Sequence, residues 1–349
     1  MRNSKKQVLN KDKFNEVYKT KKLSNVKLTE FISKYTSERG LEIIKDCSTF
    51  MQFIVDESKE KYRQVSGSSC KNRFCPLCSY RKARKDGVKI LTMMSAIEKL
   101  EKKKFVFMTL TYKRVVAEDL EETIKHLNKS FELLFKRKEV QRMNFGYIKK
   151  LEVTYEKNEF ITKAMFKKKR DYYVSRGLNV GDRNPTFNTY HPHFHIILCV
   201  NKSYFDDPNY YIPRDKFLEL WQESADDFNI TQVDVRRVDS SRNTNKVNEL
   251  AKYSAKDSDY LYSEEVFDVF YESLKGKRLI TFSKIFKDYS KKFDNGELED
   301  FKEKDKTKYI YFLNAYWLKN DYEKVYSLIS NLDESESKRV MKFTNTEID

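Results

Sequence analysis

The chain has four histidines, and three of them, His191, His193 and His195, fall within the run His191-Pro192-His193-Phe194-His195. Alternate side chains of an extended strand share a face, so these imidazoles all point one way. Imidazoles two residues apart can both reach one metal ion. A single strand histidine is ordinarily a hydrogen-bonded core residue, whereas three in register read as ligands, with Ile196-Ile197-Leu198 anchoring the strand in a core. Two imidazoles leave a divalent ion short of ligands, and a carboxylate from a neighbouring strand would complete the set. Glu152, in Leu151-Glu152-Val153-Thr154, is the best candidate; its plainer reading is an edge-strand charge facing solvent. His191 is read as supporting or structural, because Pro192 interrupts the pattern.

A second group lies in Glu249-Leu250-Ala251-Lys252-Tyr253-Ser254-Ala255-Lys256, which has no helix breaker. On a helix, Glu249, Tyr253 and Lys256 project together. A phenol can attack phosphorus, a carboxylate can deprotonate the attacking phenol or water, and a lysine can position the phosphate. With 23 tyrosines in the chain, any one of them is more often packing than catalysis. A third group is Cys70-Lys71-Asn72-Arg73-Phe74-Cys75-Pro76-Leu77-Cys78. Cys75-x-x-Cys78 is half of a tetrahedral zinc site that Cys70 and Cys47 could complete; the alternatives are small buried residues, or only three ligands. Arg73 and the following Arg81, Lys82, Arg84 and Lys85 are candidate DNA-phosphate contacts.

These residues need elements to hold them. Phe105–Tyr112, Gly146–Tyr155, His191–Val200 and Thr231–Val238 read as strands, from alternation and β-branched or aromatic content. Asp86–Lys104, Leu120–Val140, Pro213–Phe228 and Asn245–Lys256 read as helices. Strands and helices do not alternate regularly, so an α+β domain with an antiparallel sheet is expected rather than a parallel one. The expected organisation is a basic arm over 1–40, a cysteine-rich zinc module over 41–86, a catalytic domain over 87–290, and an accessory helical region over 291–349. Residues 156–190 are expected as a basic insertion, a long loop or a hairpin extension.

Taken together, the motifs resemble those of plasmid rolling-circle replication initiators of the HUH endonuclease superfamily, in the branch with a single catalytic tyrosine. Phe107-Met108-Thr109-Leu110-Thr111 looks like the first motif, His193-Phe194-His195-Ile196-Ile197-Leu198 like the histidine motif, and Tyr253-Ser254-Ala255-Lys256 like the tyrosine motif, with Glu249 four residues before. The cysteine segment and Gly276-Lys277-Arg278-Leu279-Ile280 narrow the resemblance to the plasmid branch, and it covers about residues 41–290. It implies a five-stranded antiparallel sheet with the histidine motif on a central strand. It also implies Mg²⁺ or Mn²⁺ on His193, His195 and Glu152, a 5′-phosphotyrosine on Tyr253, and a role for Glu249 in terminal hydrolysis. Origin DNA, a host helicase and a DNA polymerase are the implied partners.

A relaxase or single-strand transposase of the same superfamily would share this chemistry, but conjugative relaxases usually carry their tyrosine ahead of the histidine motif. A non-enzymatic zinc-containing DNA-binding regulator would leave the histidine strand without a task, and a small-molecule metallohydrolase would gain nothing from Tyr253.

Composition fits. The 349 residues carry 69 Lys+Arg against 53 Asp+Glu, a net +16 that points to a polyanionic partner, and 39% hydrophobic content supports a core. No run of about 18 apolar residues suggests a membrane span. The polar, basic stretch Met1–Lys22 has no signal-peptide core. Five cysteines, an odd number with three of them inside nine residues, do not suit a secreted disulfide scaffold, so a bacterial cytoplasmic setting is expected.

Overall fold

The computed structural model describes residues 14–238 and 255–331. The chain divides into two compact units, Met1–Lys82 with Glu303–Asp349, and Ala83–Lys302. Elements are numbered along the chain.

The first unit is built around a four-stranded antiparallel sheet in the order β2-β1-β8-β9. Its strands are β1 (Phe50–Asp56), β2 (Tyr62–Gly67), β8 (Tyr309–Leu318) and β9 (Asp321–Leu328). β1 is buried along almost its whole length, so both of its faces are covered. Helix α1 (Thr20–Ile32), preceded by a π-helical turn, belongs to this unit with α2 (Glu38–Asp46). Ahead of α1, Phe14 and Tyr18 pack on Phe53 with ring centroids 5.2 and 5.1 Å apart.

The tail corrects the expectation of an accessory helical region. β8 and β9 form a hairpin whose turn residues, Lys319 and Asn320, both have positive φ, the backbone of a tight two-residue connection. The sequence obscured this because neighbouring Phe312 and Leu313, on opposite faces of β8, are both buried, so apolar residues occupy both faces and the alternation is blurred. Nor do the unit boundaries coincide with the expected arm and zinc module: residues 14–82 and 303–331 enter one unit.

The second unit holds β3 (Lys103–Thr111), β4 (Gly146–Glu156), β5 (Thr189–Asn201), β6 (Val233–Val238) and β7 (Ile280–Phe282). They form a five-stranded sheet, order β6-β3-β5-β4-β7, in which every pairing is antiparallel. The α+β architecture expected from the sequence is thus present, with the histidine strand at its centre.

Helix α3 (Pro76–Leu100) starts with proline at its first position, where the missing N–H costs nothing. Its Ile90, Met93, Met94 and Ile97 recur at helical spacing and pack with Phe107, Ile148, Ile197, Cys199 and Phe286 on one face of the sheet. On the other face Phe194 meets Phe131 of α4 (Leu120–Lys136) edge-on at 5.6 Å. A short α5 (Lys138–Met143) leads from α4 into β4. The 156–190 insertion is a hairpin extension between β4 and β5, carrying two short helices, α6 (Lys163–Lys168) and α7 (Arg170–Val174). The buried Trp221 of α8 (Arg214–Ala225) donates its indole N–H to Thr111 O at 2.8 Å. Among the described residues no helix is long and apolar enough to cross a membrane.

Gly146 opens β4 at φ +154°, and a Cβ there would stand 2.7 Å from Ser283 O. That carbonyl belongs to the turn after β7, which bonds back to Tyr147. Gly146→Ala is expected to destabilise the protein by about 2 kcal/mol, read from the midpoint of urea unfolding. An unchanged midpoint would show that the turn yields without cost.

Candidate functional site

The face of β5 that is sealed over Ile197 and Cys199 continues towards the start of the strand as His195, His193 and His191. β4 pairs with β5 so that Glu152 stands directly opposite His193, and Lys150 opposite His195. Glu152 and the histidines thus lie on directly paired strands although the 156–190 segment separates them in sequence. Glu152 Oε2 lies 3.0 Å from His195 Nε2 and 3.9 Å from His193 Nε2. The three groups offer ligand atoms within 4.8 Å of one another.

The other ring nitrogens are held from behind. His193 Nδ1 is 3.1 Å from His191 O, so it donates and leaves its Nε2 lone pair facing Glu152. Thr109, in the strand opposite, places its hydroxyl 3.2 Å from His195 Nδ1, and Phe107 stacks on the His195 ring at 5.6 Å. Such partners fix ring orientation and tautomer at metal sites. His191 donates from Nε2 to Tyr112 O at 3.0 Å and stacks on His193 at 5.2 Å. His126, the fourth histidine, bonds Ala225 O from α4.

Burial opposes ionisation of Glu152, but the hydrogen bond from His195 and the charge of His193 outweigh it and hold the carboxyl down at about 2. Burial pulls His191 down to about 3 and His193 down to about 4. At neutral pH Glu152 is therefore a carboxylate and His193 a neutral imidazole, both of them donors that a divalent ion accepts.

The four thiols also meet. Cys47 Sγ lies 3.5 Å from Cys78 Sγ and 3.6 Å from Cys75 Sγ, and Cys70 Sγ lies 3.6 Å from Cys78 Sγ. A disulfide needs about 2.0 Å. A tetrahedron of zinc–sulfur bonds near 2.3 Å puts sulfurs about 3.8 Å apart, so the cluster fits that ion. Thiol–thiol hydrogen bonds hold Cys47 down at about 7, with Cys70 and Cys75 the main contributors.

Two supporting residues escaped the sequence reading. Asn25 Nδ2 donates to Cys75 Sγ at 3.5 Å, and Lys22, 1% exposed, donates to Cys47 O at 2.7 Å, Lys45 O at 2.8 Å and Asn25 Oδ1 at 3.2 Å. Nothing in a lysine-rich segment marks one lysine as buried.

Among the expected DNA contacts, Arg73, Lys82, Arg84 and Lys85 are exposed. Arg81 differs: its guanidinium bonds Ser48 Oγ and Ser68 O, and so braces the loops beside the cysteines. Tyr253 and Glu249 lie outside the described residues. Lys256 is described, and its backbone is extended, at φ −76° and ψ 141°, so the helix expected through it does not include it.

The buried histidines impose a pH dependence. Their folded values lie below the ordinary 6.5, so the unfolded chain takes up protons first. The stability tied to their neutral forms is complete above pH 6.5 and is lost as pH falls through 4 and then 3; Glu152, held below 4.5, adds to the loss further down. Between about pH 6 and about pH 4, metal-free protein should lose about 1.4 kcal/mol of urea stability per histidine for every pH unit. His191→Gln should remove that residue's share. Stability that stays level from pH 7 to 4 would contradict a buried neutral pair.

The chain matches the family described as "Replication protein" over residues 61–323, a span that includes all three motifs. It is 41% identical over 249 residues to a "Protein rep" of Staphylococcus aureus, covering 71% of this chain and 96% of the relative. A "Protein rep" of Streptococcus pneumoniae is 27% identical over 87% of this chain and 92% of its own length, and one of Lentilactobacillus hilgardii 25% identical over 81% and 83%. No solved structure matches the chain. From the family match and the Staphylococcus aureus relative, the chain belongs to the Rep family of plasmid replication proteins.

Proposed function

We propose that the protein initiates plasmid rolling-circle replication as a metal-dependent, origin-specific DNA nickase and strand transferase. The observation that carries this reading is Glu152 Oε2 facing the Nε2 atoms of His193 and His195, on adjacent inner strands of an antiparallel sheet. These residues would hold Mg²⁺ or Mn²⁺, which when bound supplies a Lewis acid for a scissile phosphate of single-stranded or hairpin origin DNA. Tyr253 would be the nucleophile: its phenolic oxygen bonds to phosphorus as the bond to the 3′-oxygen breaks. The proton lost by the phenol balances the one gained by the 3′-oxygen. The products are a 5′-phosphotyrosine and a 3′-hydroxyl that a host DNA polymerase can extend behind a host helicase in the bacterial cytoplasm. Lys256 would orient the phenol or the phosphate. Glu249 would activate water at termination, releasing the displaced strand and restoring the phenol. Exposed Arg73, Lys82, Arg84 and Lys85 would contact DNA phosphates.

The test is incubation with origin DNA and Mn²⁺. Tyr253→Phe is expected to abolish the covalent protein–DNA adduct, and His193→Ala to slow nicking by roughly a hundredfold or more. An adduct that persists in Tyr253→Phe would displace the nucleophile. Glu249→Ala should spare nicking yet impair hydrolytic release; equal loss of both would remove its terminating role.

The four thiols would hold a structural zinc, with Lys22 and Asn25 offsetting its thiolate charge. Elemental analysis of pure protein should find zinc, and Lys22→Met should release it to a chelator about tenfold more readily. A zinc-free, folded protein would refute this assignment.

A further inference from the structure

On the face of β4 opposite Glu152, one side chain breaks the apolar series. Tyr147, Leu151 and Val153 share that face with Lys149, whose ammonium is drawn inward. Its Nζ donates to Asn128 Oδ1 of α4 at 2.8 Å and lies 4.4 Å from the Phe131 ring centroid and 4.6 Å from that of Phe194. Ring faces and one amide oxygen offset part of the cost of desolvating a cation, and an anion would offset the rest. Burial pulls Lys149 down to about 8, opposed by the charge of Glu132.

The ammonium borders a cavity of about 280 Å³, also lined by Asn128, Lys277, Arg278 and Thr281. After Gly276, which turns the chain at φ +69°, the two cations Lys277 and Arg278 enter the lining. Lys277 pairs with Glu121 at 3.1 Å, whereas Arg278 is exposed and has no acid partner among the described residues. Leu151, Phe194 and Leu279 supply the apolar part of the lining, and the Asn128 amide is engaged by Lys149 and Ile124. Three cations and the Thr281 hydroxyl around one small cavity still exceed what a carboxylate would use, and they match a phosphate with its several acceptor oxygens.

We propose that the cavity bounded by Lys149, Asn128, Lys277, Arg278 and Thr281 is a phosphate-binding site, separate from the metal centre. Its ligand is a phosphate either of a DNA strand or of a small phosphorylated molecule, and the two sources can be told apart. Full-length protein without added divalent ion would be titrated with a fluorescent single-stranded oligonucleotide of mixed sequence, and separately with inorganic pyrophosphate by calorimetry.

Arg278→Ala and Lys149→Met, the latter keeping the aliphatic stem between the rings, are each expected to weaken binding about tenfold. For the oligonucleotide, each should also lower the slope of log affinity against log salt by about 0.7. Lys129→Ala, which removes an exposed α4 lysine outside the lining, controls for net charge and should change affinity less than about twofold. Loss confined to pyrophosphate identifies a small ligand, and loss with the oligonucleotide identifies a DNA phosphate; either supports the site. Unchanged binding of both probes by Arg278→Ala, or an equal loss in Lys129→Ala, overturns it. If circular dichroism shows Lys149→Met to be misfolded, the exposed Arg278→Ala decides alone. No covalent step enters the assay, so failure of the nicking chemistry leaves this outcome readable.

Discussion

The register between β4 and β5 governs the second unit. Side chains alternate with period two, so sliding one strand by a single residue would send Glu152 to the α4 face and draw Lys149 or Leu151 towards the histidines. The register is pinned at one end by the sealed cluster of Ile148, Ile197 and Cys199 beneath α3. At the other end lie the paired rings of Tyr155 and Tyr190, 5.1 Å apart. The hairpin extension between the strands can vary in length because neither anchor lies within it. The core thus positions the ligand atoms, and the ligand atoms add little to the core.

The same alternation gives β4 two electrostatic characters. Its even-numbered residues place a carboxylate among imidazoles, and its odd-numbered residues place an ammonium against aromatic rings. Each charge is poorly hydrated, and each is compensated by directional partners rather than by solvent. The first unit shows the same economy of partners at Lys22, whose ammonium is ringed by carbonyl and amide oxygens beside four sulfurs.

Much of the centre was legible in the sequence because its residue types are rare and its period is short. Histidines at positions 191, 193 and 195 needed only strand alternation to be placed together, and Glu152 needed only an adjacent strand. What the sequence concealed depends on tertiary contact: Lys22 and Asn25 act on cysteines far along the chain, and Arg81 turns inward to Ser48. The carbonyl of His191, which orients His193, carries no side-chain signal at all. The β8–β9 hairpin is obscured because Lys319-Asn320 lacks the usual glycine and because burial of both Phe312 and Leu313 blurs the alternation of β8.

The strand order β2-β1-β8-β9 has a consequence for how the protein is made. β1 emerges from the ribosome early, but its second neighbour is encoded some 250 residues later, beyond the whole of the other unit. During synthesis the β1–β2 hairpin must therefore wait with one edge open while the five-stranded unit can already close. Ribosomes that stop short of β8 would release chains with a folded central unit and an unfinished sheet, whose bare edge invites association with other chains.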